Sequence, residues 1–221
     1  MLKSIAIGIF VLVLSSCDFI PTPTPTDPEK AFTLSKLEST KTGTIFSSKL
    51  SGNDSNGVRF TGSFYMANRE KIILNGESVT PQEFIISFSG GRTSMTYAGT
   101  RYTDTSGNLV SVVVQTTGQT CKPVSPYTMP ENVKIGDFAI LPAMTCSDDT
   151  TQERNWRVED ARNGNINFIT NVAVKNKLNT IVSVADITTT LDGDGNILSF
   201  KIVASDPAGN YRITLKVDEL K

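Results

Sequence analysis

The chain has 221 residues, of which 38% are hydrophobic, and it carries 21 basic against 22 acidic side chains. This hydrophobic content is sufficient for a buried core, whereas a formal charge of -1 gives no basic surface for nucleic acid. The sequence contains no His, which excludes Ser–His and Cys–His catalytic pairs and His-based zinc sites. We therefore expect a folded domain whose function does not depend on these chemistries.

The first 17 residues have the features of a secretion signal in the usual order. Lys3 supplies a positive charge, residues 5–14 form an apolar run, and two serines precede Cys17. The apolar run is too short to span a bilayer as a helix. The sequence Leu-Ser-Ser-Cys at 14–17 resembles the lipobox of bacterial lipoproteins. The alternatives are an ordinary signal peptide with a coincidental Cys and an uncleaved membrane anchor.

The lipoprotein resemblance implies a position in the cell envelope. In that class the signal peptide, here residues 1–16, is removed, and the new N-terminal residue, here Cys17, carries the lipid. Two or three acyl chains exceed the roughly two signals that stable anchoring needs. We therefore expect a membrane-anchored protein that faces the periplasm or the exterior. Asp18 resembles the inner-membrane retention signal of some enteric bacteria, but other bacteria do not follow that rule, so the choice of membrane stays open.

Residues 17–30 are predicted to be the lipidated Cys and a tether rich in Pro and Thr. Alternating Pro and Thr at positions 21–26 favour extended polyproline II structure, which would hold a domain away from the bilayer. A Pro-rich recognition motif is the alternative.

One short helix is a candidate directly after this tether. Asp27, Pro28 and Glu29 fit an N-cap, a first helical position and an acidic first turn. Ala31, Leu34 and Leu37 would then share a helix face, although Phe32 and Leu34 fit a strand equally well. The segment Thr-Pro-Gln-Glu at 80–83 is a second candidate for a helical turn.

Residues 31–221 are predicted to form an all-β domain, because apolar and polar residues alternate along most of their length. A period of two indicates half-buried strands, and one dry face with one wet face suits antiparallel pairing. The fold class is therefore an antiparallel meander that forms a sandwich, a curved sheet or an open barrel, with at most one or two short helices. Two of the alternating sets of apolar residues are Leu198, Phe200, Ile202 and Ala204, and Tyr211, Ile213, Leu215 and Val217.

The turns between these strands share a sequence pattern. Three segments of the form Asp-x-x-Gly-Asn begin at Asp104, Asp192 and Asp206. Gly and Asn tolerate a positive φ and Asp bonds its own backbone, so each segment predicts a hairpin turn. A Pro-rich stretch at 121–132 divides the β region into 31–120 and 133–221. We expect one continuous domain, because each half alone would have a small core.

Cys121 and Cys146 remain for pairing once Cys17 is lipidated. Export places them in an oxidising compartment, so they are predicted to form a structural disulfide. Two free buried thiols, or a redox pair, are the alternatives.

The sequence offers only weak candidates for a metal or catalytic site. Asp192, Asp194 and Asn196 resemble the first three ligands of a calcium loop, but the Gly and Glu that complete an EF-hand are missing, so a plain hairpin is favoured and no cofactor is expected. Acidic residues that would pair in a glycoside hydrolase are Asp148, Asp149, Glu153, Glu159 and Asp160. We interpret them as a solvated loop and strand.

The predicted function is that of a non-enzymatic binding or structural module on a lipid anchor, which presents its loops to an unidentified envelope protein. The alternative is a carrier or chaperone for an apolar ligand, held in a β cavity. An envelope hydrolase is a third candidate. Phenylalanines at strand-core spacing fill a solid core in the first hypothesis and line a cavity in the second: Phe60, Phe64, Phe84, Phe88, Phe168 and Phe200.

Overall fold

Strands form the regular structure of the residues that the structure describes. The computed structural model describes residues 23–34 and 43–218, and no helix occurs within these two ranges. The all-β prediction is therefore confirmed for this part of the chain. Cys17 and the proposed signal peptide lie outside the described residues.

Eight strands precede or enter the Pro-rich stretch: β1 (Phe32–Thr33), β2 (Ile45–Asp54), β3 (Arg59–Asn68), β4 (Ile72–Leu74), β5 (Glu77–Gly90), β6 (Thr93–Asp104), β7 (Leu109–Val114) and β8 (Gln119–Pro123). Seven strands follow: β9 (Asn132–Val133), β10 (Phe138–Cys146), β11 (Thr151–Arg162), β12 (Asn165–Lys175), β13 (Ile181–Leu191), β14 (Ile197–Ser205) and β15 (Arg212–Asp218).

Twelve of these strands close into an antiparallel barrel. The order around the wall is β3-β2-β15-β14-β13-β12-β11-β10-β8-β7-β6-β5, and β5 pairs with β3 to complete the ring. In that last pairing Phe64 lies opposite Ile86. The sheet is thus closed rather than an open barrel or a sandwich, and closure leaves no long edge without a hydrogen-bonding partner. β4 pairs with β5 beside the ring, and β1 pairs with β9.

The two candidate helical turns are replaced by other structure. The Asp27 carbonyl accepts the Lys30 N–H at 3.2 Å, and its carboxylate accepts the Glu29 N–H at 2.9 Å, but this single turn leads directly into β1. The helix prediction was wrong here because Phe32 pairs with Val133 instead. Residues 80–83 lie inside β5 and pair with β6 at every position.

The barrel has two unlike ends. Six hairpin turns lie at one end, which we call the hairpin end; they join β2–β3, β5–β6, β7–β8, β10–β11, β12–β13 and β14–β15. The opposite end, which we call the plugged end, contains the β11–β12 and β13–β14 turns at residues 163–164 and 192–196. The short sheet of β1 and β9 packs into this second end.

The plug is formed by Phe32, Leu34 and Val133, which are 0%, 1% and 1% exposed. The Leu34 N–H also donates to the Glu131 carbonyl at 2.8 Å, which ties the two segments of the plug together. The plug shares one buried cluster with side chains from the barrel wall: Trp156, Val158, Ile166, Phe168 and Leu191. The plugged end is therefore sealed by apolar packing.

Residues 23–30 of the predicted tether lie along the plugged end rather than standing away from the barrel. Thr24 and Asn163 exchange two hydrogen bonds, from the Thr24 N–H to Asn163 Oδ1 at 3.1 Å and from the Asn163 N–H to the Thr24 carbonyl at 2.8 Å. The Thr26 hydroxyl donates to the Asn165 carbonyl at 3.0 Å, and Thr26 is buried. The N-terminal segment is thus fixed to the β11–β12 turn.

Both halves of the chain contribute to the same ring. β15 pairs with β2, and β8 pairs with β10 across the Pro-rich stretch. At the second of these junctions Cys121 lies directly opposite Cys146, with their Cα atoms 3.9 Å apart, and the two form a disulfide. The predicted disulfide is therefore present, and it joins the last strand of the first half to the first long strand of the second half.

The three Asp-x-x-Gly-Asn segments form turns in which the first Asp accepts backbone N–H groups. Asp104 accepts from Ser106 and Asn108, both at 2.8 Å. Asp206 accepts from Asn210 and Tyr211. The Gly in these turns has a positive φ, 85° at Gly107, which L side chains adopt at a cost. The predicted hairpins are confirmed, and the repeated chemistry follows from the geometry of the turn.

Candidate ligand-binding lumen

The interior of the barrel is hollow. Eight strands give a barrel that side chains just fill, and the diameter grows with strand number, so twelve strands leave space that side chains do not span. The cavity inside the barrel has a volume of about 830 Å³. This volume falls in the range of about 300–1,000 Å³ that is typical of small-molecule sites.

The wall of this lumen is predominantly apolar because the inward-facing residues of each strand are apolar. β14 contributes Phe200, Ile202 and Ala204, while Ile213 and Leu215 come from β15. Leu198 does not share this face, because a bulge between Thr190 and Leu191 shifts the register and turns Ile197 inward instead. Leu198 and Tyr211 are exposed, so the alternation predicted for their strands does not extend to these terminal positions.

Five of the phenylalanines at strand-core spacing border the cavity: Phe64, Phe84, Phe88, Phe168 and Phe200. Three of them, Phe64, Phe88 and Phe168, are at most 6% exposed and also belong to buried clusters. Phe60 is buried in the wall against Phe88 and does not border the cavity. The rings lie against one another; Phe64 and Phe200 have centroids 5.3 Å apart. The Phe84 ring lies over Gly99 on the neighbouring strand, where a Cβ would clash with it. Aromatic packing along the wall thus leaves the centre open.

The cavity reaches the hairpin end. Met95 and Tyr97 face the lumen from β6 and are 50% and 40% exposed. Their strand extends past its neighbour, since β7 pairs with β6 only between Gly99 and Thr103. The wall is therefore lowest over the short strands β7 and β8, and a ligand would reach the lumen there.

The plugged end closes the other side of the cavity with the chain that links β8 to β9. Tyr127 and Met129 of this connection line the lumen. The Tyr127 hydroxyl accepts the Trp156 indole N–H at 3.0 Å, and the Thr128 hydroxyl donates to Asn108 at 2.6 Å. The connection is therefore held to opposite parts of the wall, and it forms the floor of the cavity.

Two arginines are the charged side chains among the described residues that line this lumen. Arg101 projects from β6 and Arg154 from β11. The Arg154 guanidinium donates from Nη2 to the Pro142 carbonyl at 3.1 Å, and its Nε is buried without a hydrogen-bond partner. Burial, and secondarily the charge of Arg101, lowers the pKa of Arg154 to about 10. Arg154 therefore remains a cation at neutral pH, in a place where its charge is poorly solvated.

Sequence reasoning did not single out either arginine. A signal was present for Arg154, which lies on the same face of β11 as Trp156 and Val158, both buried. A charge in register with a buried aromatic indicates an inward-facing cation. Arg157 and Glu159 lie on the opposite, outer face of β11, where they form an ion pair at 2.6 Å.

Among the weak calcium candidates, the carboxylate of Asp192 accepts hydrogen bonds within the turn itself. Asp192 Oδ1 accepts the N–H groups of Asp194 and Asn196 at 2.9 and 2.8 Å, and its Oδ2 accepts from the Asn196 side chain at 2.7 Å. In the part of the chain that the structure describes, no group of three or more Cys, Asp or Glu residues is arranged to hold a metal ion. The three residues therefore form a hairpin turn.

The acidic residues do not converge on one site. Asp148 lies in the turn that precedes β11, whereas Asp160 lies near the other end of that strand. Hydrogen bonds from Thr150 and Gln119 lower the pKa of Asp148, and hydrogen bonds from Thr26 and Arg162 lower that of Asp160. A general acid needs the opposite shift, so these two carboxylates are suited to structural roles.

Glu153 forms an ion pair with Lys175 at 2.6 Å, separate from both turns. The Ser-Gly-Gly-Arg-Thr-Ser segment at 89–94 forms the β5–β6 hairpin turn. Across residues 23–34 and 43–218, no helix has the length and apolar character needed to cross a membrane.

Comparison with known proteins gives no relative from which to transfer a function. The chain matches no protein-family model, no curated protein sequence and no solved structure.

Proposed function

We propose that this protein is a non-enzymatic carrier that holds an apolar ligand inside its barrel. The observation that carries the proposal is the cavity of about 830 Å³, lined by inward-facing aromatic and aliphatic side chains. Transfer of an acyl chain from water to such a surface contributes about 0.8 kcal/mol for each buried CH₂. The hollow interior thus favours the carrier over a module that acts only through its surface loops.

The lipoprotein resemblance supplies the setting of this proposal. Acylation at Cys17 would keep the carrier at a bilayer of the cell envelope, where apolar ligands are abundant. The anchor would also raise the local concentration of the barrel for partners on the same surface. A prediction of this setting is that Cys17→Ser releases the protein from membranes, and retention of the variant would contradict it.

Ligand binding is tested on the chain from residue 18 onward, which keeps every described strand and lacks the attachment Cys. The probe is N-phenylnaphthylamine, a neutral dye that fluoresces in apolar surroundings. Ala185→Trp fills part of the lumen, because Ala185 lines it. Lys201→Trp is the matched control, since Lys201 is exposed on the outer face of β14.

We expect the unsubstituted chain and Lys201→Trp to bind the dye with equal affinity. The added indole occupies space that the dye would fill, and a steric cost of about 1–3 kcal/mol corresponds to binding about 5- to 150-fold weaker for Ala185→Trp. Equal binding by all three proteins, or no binding by any of them, would overturn the proposed function.

A further inference from the structure

The charges that face the lumen are all of one sign. Arg101 and Arg154 project into it, and no Asp or Glu is found among its described lining residues. The two arginines come from strands that are separated along the wall by β7, β8 and β10. They therefore reach the same cavity from different parts of the wall, and the buried charge of Arg154 favours an anion there.

Arg154 has unused hydrogen-bonding capacity. Its planar guanidinium carries five N–H donors, of which one has the Pro142 carbonyl as acceptor, while the buried Nε has none. Buried donors are normally paired, and leaving one unpaired is unfavourable. A carboxylate matches the fork of donors on a guanidinium, and Arg154 lines the lumen, so an anion bound there would pair with its charge and with its remaining N–H groups.

A hydroxyl donor is held on the same side of the lumen. Tyr127 Oη accepts the Trp156 indole N–H, and a phenol that accepts a hydrogen bond still has its own proton to donate. Trp156 lies two residues from Arg154 on the inward face of β11. Across the lumen from β11, strands β3 and β5 contribute hydrocarbon side chains, and β14 adds two more: Phe64, Phe84, Ile86, Phe88, Phe200 and Ile202.

We infer that the ligand is a long-chain fatty acid, whose carboxylate binds Arg154 and whose chain lies on the phenylalanine-rich wall. The inference rests on the proposed carrier function and adds the chemical class of the ligand. A ligand with one acyl chain and one carboxylate suits a lumen in which few polar groups accompany the two arginines. A neutral hydrocarbon would leave the buried charge of Arg154 without a counter-ion.

The test compares three ligands with the same chain length: palmitate, hexadecanol and hexadecyl phosphate. Binding is followed by calorimetry and by the emission of Trp156, which is the only Trp of the chain and stacks on Phe168 at the cavity wall. The variant is Arg154→Met, which removes the charge and retains an unbranched, flexible side chain. Arg157→Met is the matched control, because Arg157 lies on the outer face of the same strand.

We expect the unsubstituted chain to bind palmitate about 10- to 100-fold more tightly than hexadecanol, the range expected for hydrogen bonds to a charged group. Arg154→Met should lose this preference and bind hexadecanol as before, whereas Arg157→Met should keep it. Arg154→Lys retains a cation and should keep part of the preference, which tests the charge if the Met variant does not fold.

Three results would overturn the inference while leaving the carrier function in place. They are equal binding of palmitate and hexadecanol, a palmitate preference that survives Arg154→Met, and tighter binding of hexadecyl phosphate than of palmitate. Failure of the unsubstituted chain to bind any of the three ligands would instead overturn the proposed function, and the inference with it.

Discussion

The plug offers a direct test of how the barrel is sealed, through the substitution Phe32→Ala. Phe32 is 0% exposed and packs among apolar side chains from both the plug and the wall. The Lys30 ammonium also lies 5.0 Å from the centre of its ring. Truncation of a buried Phe to Ala costs about 3–5 kcal/mol, because apolar contact is lost and a cavity is left.

The assay is urea unfolding followed by Trp156 fluorescence, together with limited proteolysis of residues 23–34. Phe138→Ala is the control, since it makes the same chemical change at a side chain that is 72% exposed and should alter stability by no more than about 0.5 kcal/mol. Phe32→Ala should lower the free energy of unfolding by about 3–5 kcal/mol, or, if the segment detaches locally, expose it to protease first. Equal stability and equal proteolysis of the two variants would refute the reasoning.

Two further predictions concern the disulfide and the docked N-terminal segment. Replacement of Cys121 and Cys146 by Ser should lower the free energy of unfolding by about 3.5 kcal/mol, because the disulfide links residues 25 positions apart. Reduction of the disulfide in the unsubstituted chain should have the same effect. A loss below about 1 kcal/mol would contradict the chain-entropy argument. The pKa of Asp160 is lowered by hydrogen bonds from Thr26 and Arg162. The contribution of Asp160 to the docking of residues 23–30 is therefore present above the ordinary Asp value of 3.8, and it is lost as the pH falls through the lower pKa of the folded state. Protection of residues 23–30 from protease should therefore be constant from about pH 5 to pH 8 and decline below the ordinary Asp value. Asp160→Asn should remove this dependence on pH. A decline in protection between neutrality and mild acidity would contradict the role of Asp160.

The strands and turns were predictable because their signals are local. The alternation in β15 and the Asp-x-x-Gly-Asn turns each depend on residues that are close in sequence. The candidate helix at residue 27 was mistaken for a similar reason. Its N-cap pattern is real, and Asp27 does accept the Glu29 N–H, but pairing of Phe32 with the distant Val133 decides the structure that follows.

The closure of the ring and the hollow interior could not be predicted from the same signals. Closure depends on pairing between β3 and β5, around the intervening β4, and between β15 and β2. Residues such as Phe64 and Phe200 have the same alternation whether they fill a core or line a cavity, because the number of strands in the ring determines the space between opposite walls. Arg154 could have been recognised as inward-facing from its register with Trp156, but the presence of Arg101 at the same cavity depends on the closed topology.

The docking of residues 23–34 at the plugged end fixes how the barrel would stand on a membrane. Thr24 is bound to the β11–β12 turn, and it follows Cys17 by seven positions, a span of at most about 25 Å. If Cys17 is acylated, the plugged end must lie close to the bilayer that holds the lipid, and the hairpin end, with Met95 at its opening, must face away from that bilayer. Cargo would then be exchanged with whatever lies across the intervening space, and the lipids beneath the protein would be shielded from its interior.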